Sequence, residues 1–123
     1  MSKVKLQLQE IPQLNQELFL LQGEKEVNFA LKYEIAKVFE RTTKIVKDYT
    51  ELRNKIIETH GVLVEGSKTQ HTLEGSKDKD KGDKEIKALA EKIEEFDASF
   101  KLEDFKDLKS ENHYIQFMKL LKN

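Results

Sequence analysis

Val4, Leu6 and Leu8 alternate with Lys3, Lys5, Gln7 and Gln9, the period of two that buries one face of a β-strand. The spacing predicts a short first strand. Pro12 then stands where the first turn of a helix tolerates a missing N–H, and Leu14, Leu18 and Leu21 follow at helical intervals before Gly23. That pattern predicts a short helix over residues 11–22. From 26 to 60 the chain has neither Gly nor Pro, and Leu31, Ile35, Val38, Thr42, Ile45, Tyr49, Leu52 and Ile56 recur at alternating intervals of four and three. This is a coiled-coil-type seam on one long helix. Ala36, Phe39, Val46 and Ile57 widen it, so the helix should face more than one neighbour. Glu40 with Lys44 and Glu51 with Lys55 are oriented to pair along its outer side. At ~1.5 Å per residue such a helix is on the order of 50 Å long, and Gly61 offers its C-terminal stop.

Beyond Gly61 the pattern changes. Val62-Leu63-Val64 is a short β-type run, and Val64-Glu65-Gly66-Ser67-Lys68 repeats nine residues later as Leu73-Glu74-Gly75-Ser76-Lys77. A frayed hairpin or extended loop fits this stretch, and the Lys77 to Asp83 run is too polar to bury anything. Residues 66–83 therefore read as a mobile connector. Helical period resumes at Glu85 with Ile86, Leu89, Ile93 and Phe96, predicting a second helix folded antiparallel onto the C-terminal half of the long one. Ser99-Phe100-Lys101-Leu102 reads as a second strand beside Val4 to Leu8. Leu102, Phe105 and Leu108 mark a turn of helix, and Ser110 is a candidate N-cap for a last helix carrying Tyr114, Phe117, Leu120 and Leu121.

The expected fold is mainly α: a long helix in an antiparallel helical hairpin, short helices at both ends and a minor β element. One domain is expected over 1–123, divided into strand and short helix (1–23), long helix (24–60), polar connector (61–84), and second and C-terminal helices (85–123). A chain of 123 residues has room for one modest core and buries only about two-thirds of its unfolded surface.

Composition narrows the function classes. The 22 basic and 23 acidic residues nearly cancel, so no overall field favours nucleic acid or anionic lipid. With no cysteine there is no disulfide, thiolate metal site or cysteine nucleophile, as suits a reducing compartment. Apolar runs such as Leu18 to Leu21 fall far short of a membrane span, and no signal-peptide core follows Met1. A soluble, unprocessed protein is expected.

Candidate chemistry is sparse. Asp78, Asp80, Asp83 and Glu85 have the flavour of a calcium loop, but counting from Asp78 puts Asp83 where such loops need glycine and Leu89 where they need a bidentate glutamate. His60, His71 and His113 have no second ligand at metal spacing. Glu94, Glu95 and Asp97 flank seam residues and read as a solvated face rather than an acid–base pair. Lys37, Arg41 and Lys44 line one edge like a phosphate stripe, with Glu34 and Glu40 beside them and no interleaved aromatic. No nucleophile elbow, P-loop, Rossmann glycine pattern or zincin motif is present. Catalytic residues, metal ligands, cofactor and small-molecule substrate are therefore expected to be none.

The stretch Ala30-Leu-Lys-Tyr-Glu-Ile-Ala-Lys-Val-Phe-Glu-Arg41, continuing from Tyr49 to Gly61, resembles a family of small uncharacterised proteins encoded by tailed bacteriophages. There a helix with a Tyr-x-Ile-Ala-Lys core runs into a mixed-charge heptad stretch ending near a glycine. The order of parts is similar over most of the chain, though the repeated insert at 64–77 departs from it. The resemblance implies origin rather than activity, since it brings no catalytic residues: a minor virion or assembly factor, or an early protein that disables a host component, located in the host cytoplasm or the virion.

These readings converge on a non-enzymatic protein acting through protein–protein contact or self-association. Tyr33, Phe39, Tyr49 and Phe96 read as core aromatics, and Leu31, Ile35, Val38, Phe39, Ile45, Tyr49 and Leu52 are the candidate interface. An inhibitor of a host enzyme or defence protein is the alternative. A weak nucleic-acid binder using Lys37, Arg41 and Lys44 is a further one.

Overall fold

A computed structural model describes residues 3–97, 100–105 and 114–122. In chain order its elements are β1 (Lys3–Gln7), α1 (Ile11–Leu21), α2 (Phe29–His60), β2 (Val62–Leu63), β3 (His71–Thr72), α3 (Lys79–Ala90), β4 (Ile93–Asp97), β5 (Phe100–Lys101), α4 (Ile115–Met118) and β6 (Leu121–Lys122), with 3-10 turns at Leu8–Glu10 and Leu102–Phe105. The protein is mostly helical, with small sheets of short strands. It divides into two compact units, Met1–Val46 with Ile93–Asn123, and Lys47–Lys92.

In the first unit the alternating run at the N-terminus forms β1, and Leu6 is its buried member. Its antiparallel partner is β4, with Lys3 opposite Asp97, Val4 opposite Phe96 and Lys5 opposite Glu95. This corrects two expectations. The second helix does not run through Phe96, and the strand beside β1 is not the one at Phe100. The interval from Ile93 to Phe96 is too short a run to fix a period, and residues 93–97 offer β1 both a ladder and acidic partners for its two lysines. Lys3 Nζ lies 2.6 Å from Asp97 Oδ1 and holds that carboxyl below its ordinary value. β5 instead pairs in parallel with β6, so Leu121 lies in a strand rather than in the last helix.

Ile11, Leu14, Leu18 and Leu21 form the buried stripe of α1. α2 begins at Phe29 rather than near residue 24 because Asn28 supplies the cap: its Oδ1 accepts the Leu31 N–H at 2.9 Å. Asn15 ties α1 to α2, donating from Nδ2 to Thr42 Oγ1 and Thr43 Oγ1, both at 2.9 Å. The Thr42 hydroxyl donates in turn to Phe39 O at 3.0 Å, so this fully buried polar member of the seam is satisfied.

The most consequential burial is of a charge. Glu17 on α1 is 3% exposed, and its carboxylate accepts the N–H groups of Phe117 at 2.9 Å and Gln116 at 3.4 Å. These are orphan donors of the first turn of α4, which has no side-chain cap of its own. Phe117 is thereby placed against Phe100 and Phe105, with ring centroids 5.3 and 5.1 Å away. Nearby, Glu10 accepts the Gln7 N–H at 2.8 Å and pairs with Lys119 at 2.7 Å. The predicted cap Ser110 and the helix residue Leu108 lie outside the described residues.

In the second unit the repeated segment is a repeated turn. Ser67 N–H donates to Val64 O at 2.9 Å and Ser76 N–H to Leu73 O at 3.0 Å, with Gly66 and Gly75 at φ of 80° and 78°. Both are type II turns, whose third residue needs the left-handed region. The first lies within the excursion between β2 and β3, which pair antiparallel; the second leads to α3. Helix therefore starts at Lys79, inside the span expected to be connector: Lys79 and Asp83 pair at 2.7 Å and Asp80 sits in the first turn. Gly61 is glycine for want of space, since a Cβ there would collide with the carbonyl oxygens of Ile57 and Thr72.

Glu17→Ala leaves two N–H groups of α4 without an acceptor and should cost roughly 1–3 kcal/mol in urea unfolding. A loss no larger than that of an exposed control, such as Gln16→Ala, would refute the capping role. Lys119 first and then the Gln7 N–H lower the Glu10 carboxyl below its ordinary 4.5. Its stabilisation is full above that value and is lost as pH falls through the lower folded value. Melting temperatures across the acid range should therefore show wild type and Glu10→Gln converging as pH drops below 4.5.

Candidate functional site

The seam of α2 meets two different environments. In the first unit Ile35 and Thr42 are fully buried, while Leu31, Val38, Phe39 and Ile45 are partly covered. Phe39 packs against Phe19 with ring centroids 6.1 Å apart, and Val38 shares the wall of a groove of about 160 Å³ with Lys37, Arg41, Phe96, Asp97 and Leu120. Ile35 is thus core of its own chain, with no surface to offer a partner.

In the second unit the cover is thinner. Tyr49 and Ile56 are partly exposed, and Leu52 is 48% exposed. All residues from 47 to 92 are described, and the buried apolar side chains among them are Leu73, Leu89 and Ala90. Such a core is small for a unit of this size. On another side of the helix, Asn54, Ile57 and Glu58 form a groove of about 300 Å³ with Val64, Thr69, Gln70 and His71.

The other sequence candidates fall into structural positions. Arg41 donates to Glu95 O at 2.7 Å, lies 3.4 Å from Glu94 Oε2 and covers the Phe96 ring at 4.2 Å. It fastens β4 to α2. Lys37 lies over Tyr33 at 4.5 Å and 3.6 Å from Glu34. Glu94 pairs with Arg41 and Asp97 with Lys3. Asp78, Asp80 and Asp83 belong to the start of α3, where the Asp83 carboxylate raises the Lys79 ammonium above its ordinary value. Among the described residues no cluster of three or more histidines, cysteines or carboxylates is disposed to hold a metal ion, and no helix is long and apolar enough to cross a membrane.

His60 is more enclosed than a surface histidine. Its side chain is 14% exposed, with Nε2 3.1 Å from Glu85 Oε2 and Nδ1 3.8 Å from Asp78 Oδ2. Ser76 Oγ donates to the His60 carbonyl, giving an end-of-helix carbonyl its partner. His71 Nδ1 faces Thr69 O at 3.2 Å, and His113 lies outside the described residues.

Sequence reasoning missed two features. Glu17 carries no warning in its spacing, because a carboxylate among leucines becomes a cap only once residues 116 and 117 arrive. Phe29 and Tyr33, 87% and 63% exposed, lie one turn apart beside the seam, so Tyr33 is not the core aromatic that its spacing predicts. Lys32 covers one face of Phe29 at 5.4 Å, as Lys37 does Tyr33, so each ring has a cation–π partner within its own chain.

The contrast along the helix is measurable. Ile35→Ala should cost roughly 2–5 kcal/mol as a core truncation, and Leu52→Ala below about 1 kcal/mol because half its surface already meets solvent. Equal losses in chemical denaturation would contradict this division.

No family model matches the chain, and no curated protein and no solved structure matches it.

Proposed function

We propose that this chain is a non-enzymatic protein that docks on another protein chain through the Tyr49, Leu52 and Ile56 side of α2. The observation that carries the reading is the half-exposed Leu52 in the middle of an apolar seam, within a unit whose own core is Leu73, Leu89 and Ala90. Burying a leucine stabilises by roughly 1.5–3 kcal/mol, so a partner that covers this side stabilises the unit as it binds. Aliphatic and aromatic anchors ringed by charge are the usual make-up of such a contact.

The finer architecture belongs to the same reading. The C-terminal part of α2 with α3 is taken as an antiparallel helical hairpin, supported by the contacts of His60 with Glu85 and Asp78. The resemblance of residues 30–61 to proteins of tailed bacteriophages supports a phage setting, with virion assembly as the role and host cytoplasm or virion as the place.

A photo-crosslinking residue at position 52 of the full chain tests the docking surface in the cell that expresses it. A discrete adduct is expected from position 52 and none from position 80, an exposed site on α3. Equal labelling from both positions, or no discrete adduct from 52, would overturn the proposal.

A further inference from the structure

We infer that the partner on this face is a second copy of the same chain, packed antiparallel about a two-fold axis that crosses α2 beside Leu52. The inference rests on the docking role proposed above and names its occupant. Tyr49, Leu52 and Ile56 fall at intervals of three and four and so share one side of the helix. Asp48 and Lys55 flank that side, one turn either way from Leu52, and both are exposed. Neither has an ion-pair partner among the described residues.

Symmetry makes these two charges a matched set. Two identical antiparallel helices place a residue before the axis beside the residue equally far after it on the other copy. With the axis between residues 51 and 52, Asp48 stands level with Lys55 of the second copy, and Lys55 with its Asp48. Tyr49 then packs near Leu52 of the second copy across the axis, as in antiparallel knobs-into-holes packing. A parallel arrangement would put the two copies of Asp48 on opposite flanks of the seam, setting Asp48 beside Arg53 of the second copy but Lys55 beside its His60. The antiparallel form alone pairs both Asp48 and Lys55 and so makes this flank self-complementary. On the other flank of the stripe the same register brings Arg53 within one turn of Arg53 of the second copy, a like-charge contact set against the two Asp48–Lys55 pairs.

Sedimentation equilibrium of the full chain at low ionic strength, across micromolar to millimolar concentration, tests the assignment. Wild type should dimerise. Asp48→Lys and Lys55→Asp should each weaken the dimer at least roughly tenfold, because each substitution turns two symmetry-related attractions into repulsions. The double variant D48K/K55D should restore most of the affinity, with circular dichroism showing that all variants keep their helix content. A chain that stays monomeric throughout overturns the inference, and so does a dimer indifferent to the single charge changes. Either outcome, accompanied by a discrete adduct from position 52 to a different protein, leaves the docking surface standing and removes only the second copy.

Discussion

A carboxylate taken out of water must be met by hydrogen bonds, and the packing of the first unit answers to that demand at Glu17. Two backbone N–H groups from the start of α4 satisfy it, and in doing so they solve the converse problem of a four-residue helix with no cap. Neither side is stable alone: an uncompensated buried charge and an uncapped helical turn each cost free energy. Joined, they bring Phe117 onto Phe100 and Phe105, and Leu120 into the core. The Glu10–Lys119 pair reinforces the same approach at the rim.

The second unit is held differently. Its hairpin has only two residue pairs, and its order comes from local devices: two type II turns, a serine hydroxyl on the last carbonyl of α2, and an imidazole beside two carboxylates. Local devices hold shape well but exclude little water. The same spacing of apolar residues on α2 thus has two outcomes. Around Ile35 and Thr42 it is sealed, with Asn15 satisfying the polar member; around Leu52 it stays open.

Much of this is legible in the sequence because periodicity reports which side of an element is buried. β1, α1 and the extent of α2 to His60 follow from spacing, and the insert's two glycines fall where left-handed backbone is required. Spacing misleads where two periods coincide or where the deciding partner is remote. Ile93 and Phe96 fit a helical seam, yet β1 needs a ladder, and a strand with carboxylates opposite Lys3 and Lys5 supplies it. Lys79 to Asp83 reads as too polar for structure, yet an i,i+4 ion pair and a buried Leu89 further on suffice for a helix start. Among the candidate interface residues, spacing alone does not separate Ile35 from Leu52. That distinction depends on Asn15 and Phe19, which meet α2 at Thr42 and Phe39 and belong to a different element.

The first unit is interrupted in sequence by the second. Lys3 pairs with a residue 94 positions later, and Glu17 with one 100 positions later. Contacts so distant are slow to form, because the chain entropy of closing the loop is lost before any pairing energy returns. During synthesis β1 and the apolar stripe of α1 leave the ribosome long before β4 and α4 exist. The inserted unit, built from near-neighbour turns and helix, needs no such distant pairing and can order meanwhile. The N-terminal strand spends its early life as an unpaired edge exposed to aggregation.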